Sequence, residues 1–365
     1  MVMKSVIHLI MPLTLYRKYR PQLFSEVEGQ EHVVRTLQGA LSTGRVGHAY
    51  LFCGPRGTGK TTIARLFAKT LNCKNLSPET YRLKPDNIEP CNQCPSCQAV
   101  NLGNSLDLIE IDAASQTGVD NIRELNDSVR TAASGGQYKI FLIDEVHMLS
   151  KSAFNALLKT LEEPPAHALF ILATTEPHKL PETILSRVQR FDFKKLAHDK
   201  IVQKLKRVAK AEKIEVEEQA LFALASHAGG SLRDAESALA KLISYAGARI
   251  TAEHTFEILG VVPMEVHEQF LTAIINREAA AALAKISELY ESGVDLENFT
   301  RQFINYTRNQ LITFIGSPQP TGLVNPQALV KIMNAFIKAK SEFKSSPVPQ
   351  LPLELAVLEL IDEQS

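Results

Sequence analysis

Tryptophan is absent from this chain of 365 residues, and no charge sign is in excess: 40 Lys and Arg face 40 Asp and Glu. A formally neutral chain has no overall attraction for nucleic acid, so any DNA contact must come from a few placed groups or from several subunits acting together. Apolar runs of membrane-spanning length are missing, which excludes an ordinary transmembrane helix. The first residues (Val2, Ile7, Leu9 and Ile10, with Lys4) resemble a signal peptide. They lack its small-residue cleavage site and run straight into Tyr16-Arg17-Lys18-Tyr19-Arg20. We read residues 1–14 as a short extension, with Met11 an alternative first residue, and the chain as cytoplasmic. Internal repeats and low-complexity tracts are also lacking.

The length calls for two or three domains. Short apolar runs at 49–53, 107–111, 139–143, 168–173 and, more weakly, 190–193 alternate with helical patterns. That alternation predicts a parallel five-stranded sheet with helices on both faces. Between the third and fourth runs, Phe154, Leu157, Leu158 and Leu161 form a helical stripe, with Ser150 or Ser152 as its cap and Pro164-Pro165 as its stop. After Phe193 strand signals fade. Residues 198–260 read as an all-helical domain, punctuated by Gly229-Gly230 and Gly247. Residues 261–365 read as a second one, with stripes such as Phe270, Ile274, Ile275 and Phe303, Ile304, Leu311, Ile312. A Pro/Ser-rich stretch at 345–352 precedes a last apolar helix, Leu353 to Ile361.

Gly54-Pro55-Arg56-Gly57-Thr58-Gly59-Lys60-Thr61, followed by Thr62, is a complete phosphate-binding loop between the strand-like Tyr50–Cys53 and a helical segment. Its glycines let backbone N–H groups curl around a di- or triphosphate, Lys60 reaches the β and γ phosphates, and Thr61 offers a hydroxyl to Mg²⁺. The run Ile140-Phe141-Leu142-Ile143 ends in Asp144-Glu145. At the tip of a buried strand, Asp144 would face that Mg²⁺, and Glu145 is the candidate general base. The bland alternative is a pair of solvated turn residues. Thr174-Thr175 ends the next strand, where a hydroxyl could orient water or feel the γ phosphate. Ser186-Arg187 offers either a surface arginine or a finger for a neighbour's nucleotide. In Gly229-Gly230-Ser231-Leu232-Arg233-Asp234, Ser231 caps a helix and Asp234 reciprocates. Arg233 then sits at the positive end of a helix dipole, which favours a nearby anion.

Four of the five cysteines, Cys73, Cys91, Cys94 and Cys97, have the spacing of a closed, structural tetrahedral zinc site. An iron–sulfur cluster or surface disulfides are the alternatives, the latter disfavoured in a reducing compartment. Cys53, in the strand before the phosphate loop, reads as a small buried apolar residue.

With these residues in place, the chain resembles the AAA+ ATPases, and within them the bacterial clamp-loader gamma/tau family of DNA polymerase III. The matching stretches include Arg17-Lys18-Tyr19-Arg20-Pro21, Val27-Glu28-Gly29-Gln30, Asp107 to Ser115, Asp144 to Leu149 and Leu157 to Pro165, with the four-cysteine insertion (73–97) as the specific mark. The resemblance implies an ATPase module at 15–197, a helical lid at 198–260 and a helical collar at 261–365. It implies that Arg17, Tyr19, Pro21 and Val27 wrap the adenine and ribose. Thr175 becomes the first sensor, Arg187 the finger acting in trans and Arg233 the second sensor. It further implies ATP, Mg²⁺ and Zn²⁺ as cofactors. The implied partners are delta and delta-prime subunits, other copies of the chain, the sliding clamp, primer–template DNA and the single-stranded DNA-binding protein system. Two other readings are a non-hydrolysing scaffold and a different AAA+ DNA remodeller or helicase loader. The chain departs from the family at three points. Val188 stands where Cys is usual, Cys73 lies further upstream than the usual first ligand, and Gln116 replaces an often basic residue. Lys151, at a helix start, is a further candidate phosphate contact.

Overall fold

The computed structural model describes residues 14–76, 88–115, 118–316 and 325–362. Residues 1–13 of the extension, Gln116 and part of the cysteine insertion (77–87) lie outside them. The chain forms two compact units. One holds residues up to Lys213 together with Leu224–Ala240; the other holds Ile214–Ala223 and the chain from Lys241 onward. The segment 198–260, expected as one lid, is divided between them.

In the first unit, β1 (Ala49–Cys53), β2 (Leu108–Asp112), β3 (Lys139–Asp144), β4 (Ala168–Thr174) and β5 (Gln189–Asp192) form one parallel sheet in the order β2-β3-β4-β1-β5. Its central strands are apolar throughout because both faces are covered. Tyr50, Phe52, Ile140, Leu142, Leu169 and Ile171 pack against the helices Glu31–Thr43 and Lys60–Leu71. The alternate residues Leu51, Phe141, Ile143, Phe170 and Leu172 pack against Val119–Val129, Lys151–Glu162 and Glu182–Leu185. Each fully buried Leu, Ile or Phe here contributes about 1.5–3 kcal/mol relative to exposure. Cys53 lies in the second of these layers, as expected for a small apolar residue, and burial raises its thiol to about 11. Ser150, and not Ser152, caps the Lys151–Glu162 helix, accepting from the Ala153 N–H at 3.2 Å. The sheet brings the carboxyl ends of β1, β3 and β4 side by side, and this places the site.

The second unit is a helical array over a core of Phe270, Phe299, Phe303 and Phe336. His267 stacks on Phe299 with ring centroids 5.1 Å apart. Two details depart from what the sequence led us to expect. Glu215–Val216 pairs in parallel with Arg249–Ile250, a ladder too short to leave a sequence signal. Ile312, expected on an apolar stripe, is 51% exposed, and Ile315 beside it is 73% exposed. No single helix among the described residues is long and apolar enough to cross a membrane.

Candidate nucleotide site and four-cysteine centre

The phosphate loop turns from the end of β1 into the helix Lys60–Leu71. Gly57 has φ +72, and a Cβ there would collide with Ser231 Oγ, so only glycine fits. Its carbonyl also accepts from the Leu232 N–H at 3.1 Å, joining the loop to the start of the helix Leu232–Ala246. Lys60 is buried, and its Nζ donates to the carbonyls of Gly54 and Pro55 at 2.7 and 3.0 Å. Burial lowers its pKa from the usual lysine value. Thr61 Oγ1 donates to Asp144 Oδ2 at 2.8 Å, so the hydroxyl and carboxylate expected around Mg²⁺ already face each other. Glu145 adopts φ +47, an unusual backbone state for a side chain of its size. Thr175 donates to its Oε2 from both backbone N–H and hydroxyl, at 3.3 and 3.0 Å. His147 Nδ1 stands 3.5 Å from the same oxygen and 3.0 Å from Thr174 Oγ1.

A cavity of about 690 Å³ opens from this loop. Arg56–Thr62, Asp144 and Glu145 line it, as do Tyr16, Arg17, Arg20, Pro21, Val27 and Glu28 and, beside the loop, Leu196, Leu232 and Arg233. The Arg233 guanidinium lies 4.8 Å from the centre of the Tyr16 ring. Ser231 caps its helix as expected, accepting from the Asp234 N–H at 3.2 Å. The reciprocal half of that capping box is not made, because the Ser231 N–H is engaged by the Ala228 carbonyl. Glu236, one turn beyond Arg233, is 4% exposed, and its Oε1 has no partner. Burial raises its carboxyl to about 7.

The four sulfurs of Cys73, Cys91, Cys94 and Cys97 lie within 4.8 Å of one another. A tetrahedral zinc site with Zn–S near ~2.3 Å needs sulfurs roughly 3.8 Å apart, and Cys91 and Cys97 stand 3.9 Å apart. The N–H groups of Gln93 and Cys94 point at Cys91 Sγ, at 3.4 and 3.3 Å, and that of Cys97 at Cys94 Sγ, at 3.5 Å. Against the raising effect of burial, the Gln93 and Cys94 N–H groups bring the Cys91 thiol down to about 6, whereas burial pushes Cys73 up. The donor set fits a metal of the zinc type, and Cys73 joins it despite its distance in sequence.

Sequence comparison places these features in a family. The model described as DNA polymerase III, delta subunit, matches residues 29–197. That of the DNA polymerase III clamp loader subunit, ATPase lid domain, matches 200–248, and that of DNA polymerase III subunits gamma and tau domain III matches 250–365. The DNA polymerase III subunit gamma of Buchnera aphidicola subsp. Schizaphis graminum is 35% identical, over 96% of this chain and 98% of the relative. The chain belongs to the DNA polymerase III gamma/tau subunit family. The subunit tau of Bacillus subtilis is 42% identical over 95% of this chain, and that of Escherichia coli 45% identical over 78%. The aligned regions span 62% and 43% of those two longer relatives. Among solved structures, the Thermotoga maritima RuvB Holliday junction branch migration motor aligns with 70% of this chain and 79% of its own, at 20% identity and a TM-score of 0.47.

Within this gamma/tau member, most of the expected site residues meet, but not all. Gly54 and Pro55 sit behind the loop, holding Lys60. Tyr19 is not on the cavity wall: its hydroxyl donates to Glu212 Oε1 at 2.6 Å. Tyr16 and Arg20 line the cavity instead. Arg187 is absent from its own chain's cavity, donating to Glu162 Oε1 at 2.8 Å and to the Thr183 carbonyl at 2.7 Å. Lys151 is exposed at its helix start. Sequence reasoning missed Glu236 and His147. Glu236 follows Arg233 by three helical positions, so a face-by-face reading would have flagged it. His147 left no local signal.

Proposed function

We propose that this chain is an ATP-hydrolysing motor subunit of a bacterial clamp loader, opening a sliding clamp and releasing it around primed DNA. The observation that supports this most directly is the Thr61–Asp144 contact at 2.8 Å at the mouth of a cavity that also holds Lys60 and Glu145. Lys60, freed from the loop carbonyls, would meet the β and γ phosphates. Thr61 and Asp144 would hold Mg²⁺, which neutralises phosphate charge when bound. Glu145 is the base that takes the proton of the attacking water, held by Thr175 until the substrate's γ phosphate competes for that hydroxyl. Arg233 would read the phosphates from the lid. Arg187, held at the surface by Glu162, would complete a neighbouring subunit's site, a contribution of roughly 10³–10⁵ in rate in related hydrolases.

The same reading assigns the collar at 261–365 to assembly with delta-like and delta-prime-like subunits and other copies of the chain. Exposed Ile312 and Ile315 support it. Cys73, Cys91, Cys94 and Cys97 would hold a structural zinc ion, and the protein would work in the cytoplasm on primer–template DNA. The decisive experiment compares ATP turnover with and without primed DNA, clamp and partner subunits. Strong stimulation is expected, and Arg187→Ala should remove it while leaving ATP binding nearly intact. A turnover indifferent to clamp and DNA would sink the motor reading.

A further inference from the structure

One buried lysine joins the four-cysteine knuckle to the chain segment around Gln22. Lys69 lies on the helix that begins at Lys60, is 2% exposed, and has no carboxylate in its hydrogen-bond shell. Its Nζ donates to the Gln22 carbonyl at 2.9 Å, Gln22 Oε1 at 3.1 Å, Asn92 Oδ1 at 2.6 Å and Asn101 Oδ1 at 2.9 Å. Asn92, between Cys91 and Cys94, also donates from Nδ2 to the Gln22 carbonyl at 3.2 Å. Just before the knuckle, the Glu89 carboxylate accepts from the N–H groups of Phe24 and Ser25 at 2.6 and 2.8 Å. Gln22 follows Arg20 and Pro21, and Val27 and Glu28 come soon after; all four line the cavity. The insertion is therefore fastened to a strip of chain that lines the cavity.

An ammonium buried among neutral amides costs several kcal/mol unless a countercharge lies near. Four thiolates around a divalent ion leave a net charge of about −2. Such a centre beside Asn92 would add to the countercharge that Glu26 and Glu89 already supply to Lys69. Asn92, set between two of the four cysteines, links the knuckle to Lys69 and, directly and through Lys69, to Gln22.

We propose that Lys69 and Asn92 make the four-cysteine knuckle a brace for the base-binding wall, so that a filled knuckle tightens nucleotide binding. The proposal rests on the zinc and ATP readings above. Both Lys69 and Asn92 are positioning residues, acting through Gln22. The test uses the full chain, a fluorescent ATP analogue to read affinity, and elemental analysis to read zinc. Chelator-stripped protein should bind the analogue about tenfold more weakly and recover on reloading with zinc. Asn92→Gly keeps the left-handed backbone (φ +57) but loses all three side-chain bonds, to Lys69, Gln22 and Asn101. It should retain zinc and lose about fivefold in affinity. Asn92→Asp keeps the acceptor for Lys69 and should stay within about twofold of the parent. Equal affinity in the stripped, Asn92→Gly and parent proteins would overturn the brace. So would an equal loss in Asn92→Gly and Asn92→Asp, which would make the position merely structural. A chain that takes up no zinc on reloading overturns both the metal reading and the brace. Failure of the ATP reading shows separately, as binding that survives Lys60→Ala.

Discussion

The two ends of the nucleotide cavity are built on different plans. The phosphate end stands on strand tips. β1 delivers Gly54 to Thr61, β3 delivers Asp144 and Glu145, and β4 delivers Thr175, and the parallel sheet alone brings them together. The base end has no such frame. Its wall comes from Tyr16, Arg17, Arg20, Pro21, Val27 and Glu28, from Leu196 and from Glu236. Those pieces are far apart in sequence and are held largely by side-chain links. Gln30 Nε2 to the carbonyls of Thr58 and Lys194, at 3.2 and 2.7 Å, is one such link. On the proposed reading, chemistry would concentrate where the backbone is most constrained, and recognition would fall to segments held by side chains.

Substitutions at the two ends should separate cleavage, grip and recognition. The largest effect is expected for Glu145→Gln, which keeps the shape of the side chain and removes the base. Turnover should fall by roughly 10²–10⁴ while affinity changes little; a turnover within a factor of about ten of the parent would remove Glu145 from the base role. Next is Lys60→Ala, for which nucleotide affinity should drop by about a hundredfold, read by titration calorimetry. Retained tight binding would overturn the phosphate-loop assignment.

At the base end the largest effect is on stability. Glu236 titrates near 7 in the fold, against about 4.5 for an unhindered glutamate. Because its folded pKa is raised, its contribution is fully present below about pH 4.5 and is lost as pH rises through 7. At 1.36 kcal/mol per unit the loss at pH 8 is about 3 kcal/mol. Glu236→Gln, neutral at every pH, should melt higher than the parent at pH 8 and lose this pH dependence. Parallel melting profiles would show that the buried carboxyl finds a partner in solution. The smallest effect is expected for Tyr16→Ala. Removing the ring under Arg233 should weaken nucleotide binding by about two- to fivefold, the size of one cation–π contact.

Much of this protein was legible before any coordinates. The five strands were expected nearly in place, because runs such as Ile140 to Ile143 are apolar on both faces and only a covered parallel sheet accommodates them. The cap at Ser150 or Ser152, the cap at Ser231 and the helix stop at Pro164-Pro165 were legible because capping is a matter of a few neighbouring residues. Tyr19 was misplaced for the opposite reason. Nothing local tells a tyrosine that lines a cavity from one that reaches Glu212 across 193 residues of chain. The two-residue ladder at Glu215–Val216 and the exposure of Ile312 escaped in the same way, since neighbours distant in sequence decide both.

The phosphate loop, the acidic strand end and the cysteine spacing were determined by sequence alone, because each is a short motif whose residues act within a turn or two of one another. Tertiary structure decided which groups meet across segments. It set Glu145 in the grip of Thr175, drew Cys73 to the other three cysteines, and buried Glu236 with its Oε1 unpartnered. It also tied the knuckle to the cavity wall through Lys69. Such meetings depend on packing between elements, and no local pattern of residues records them.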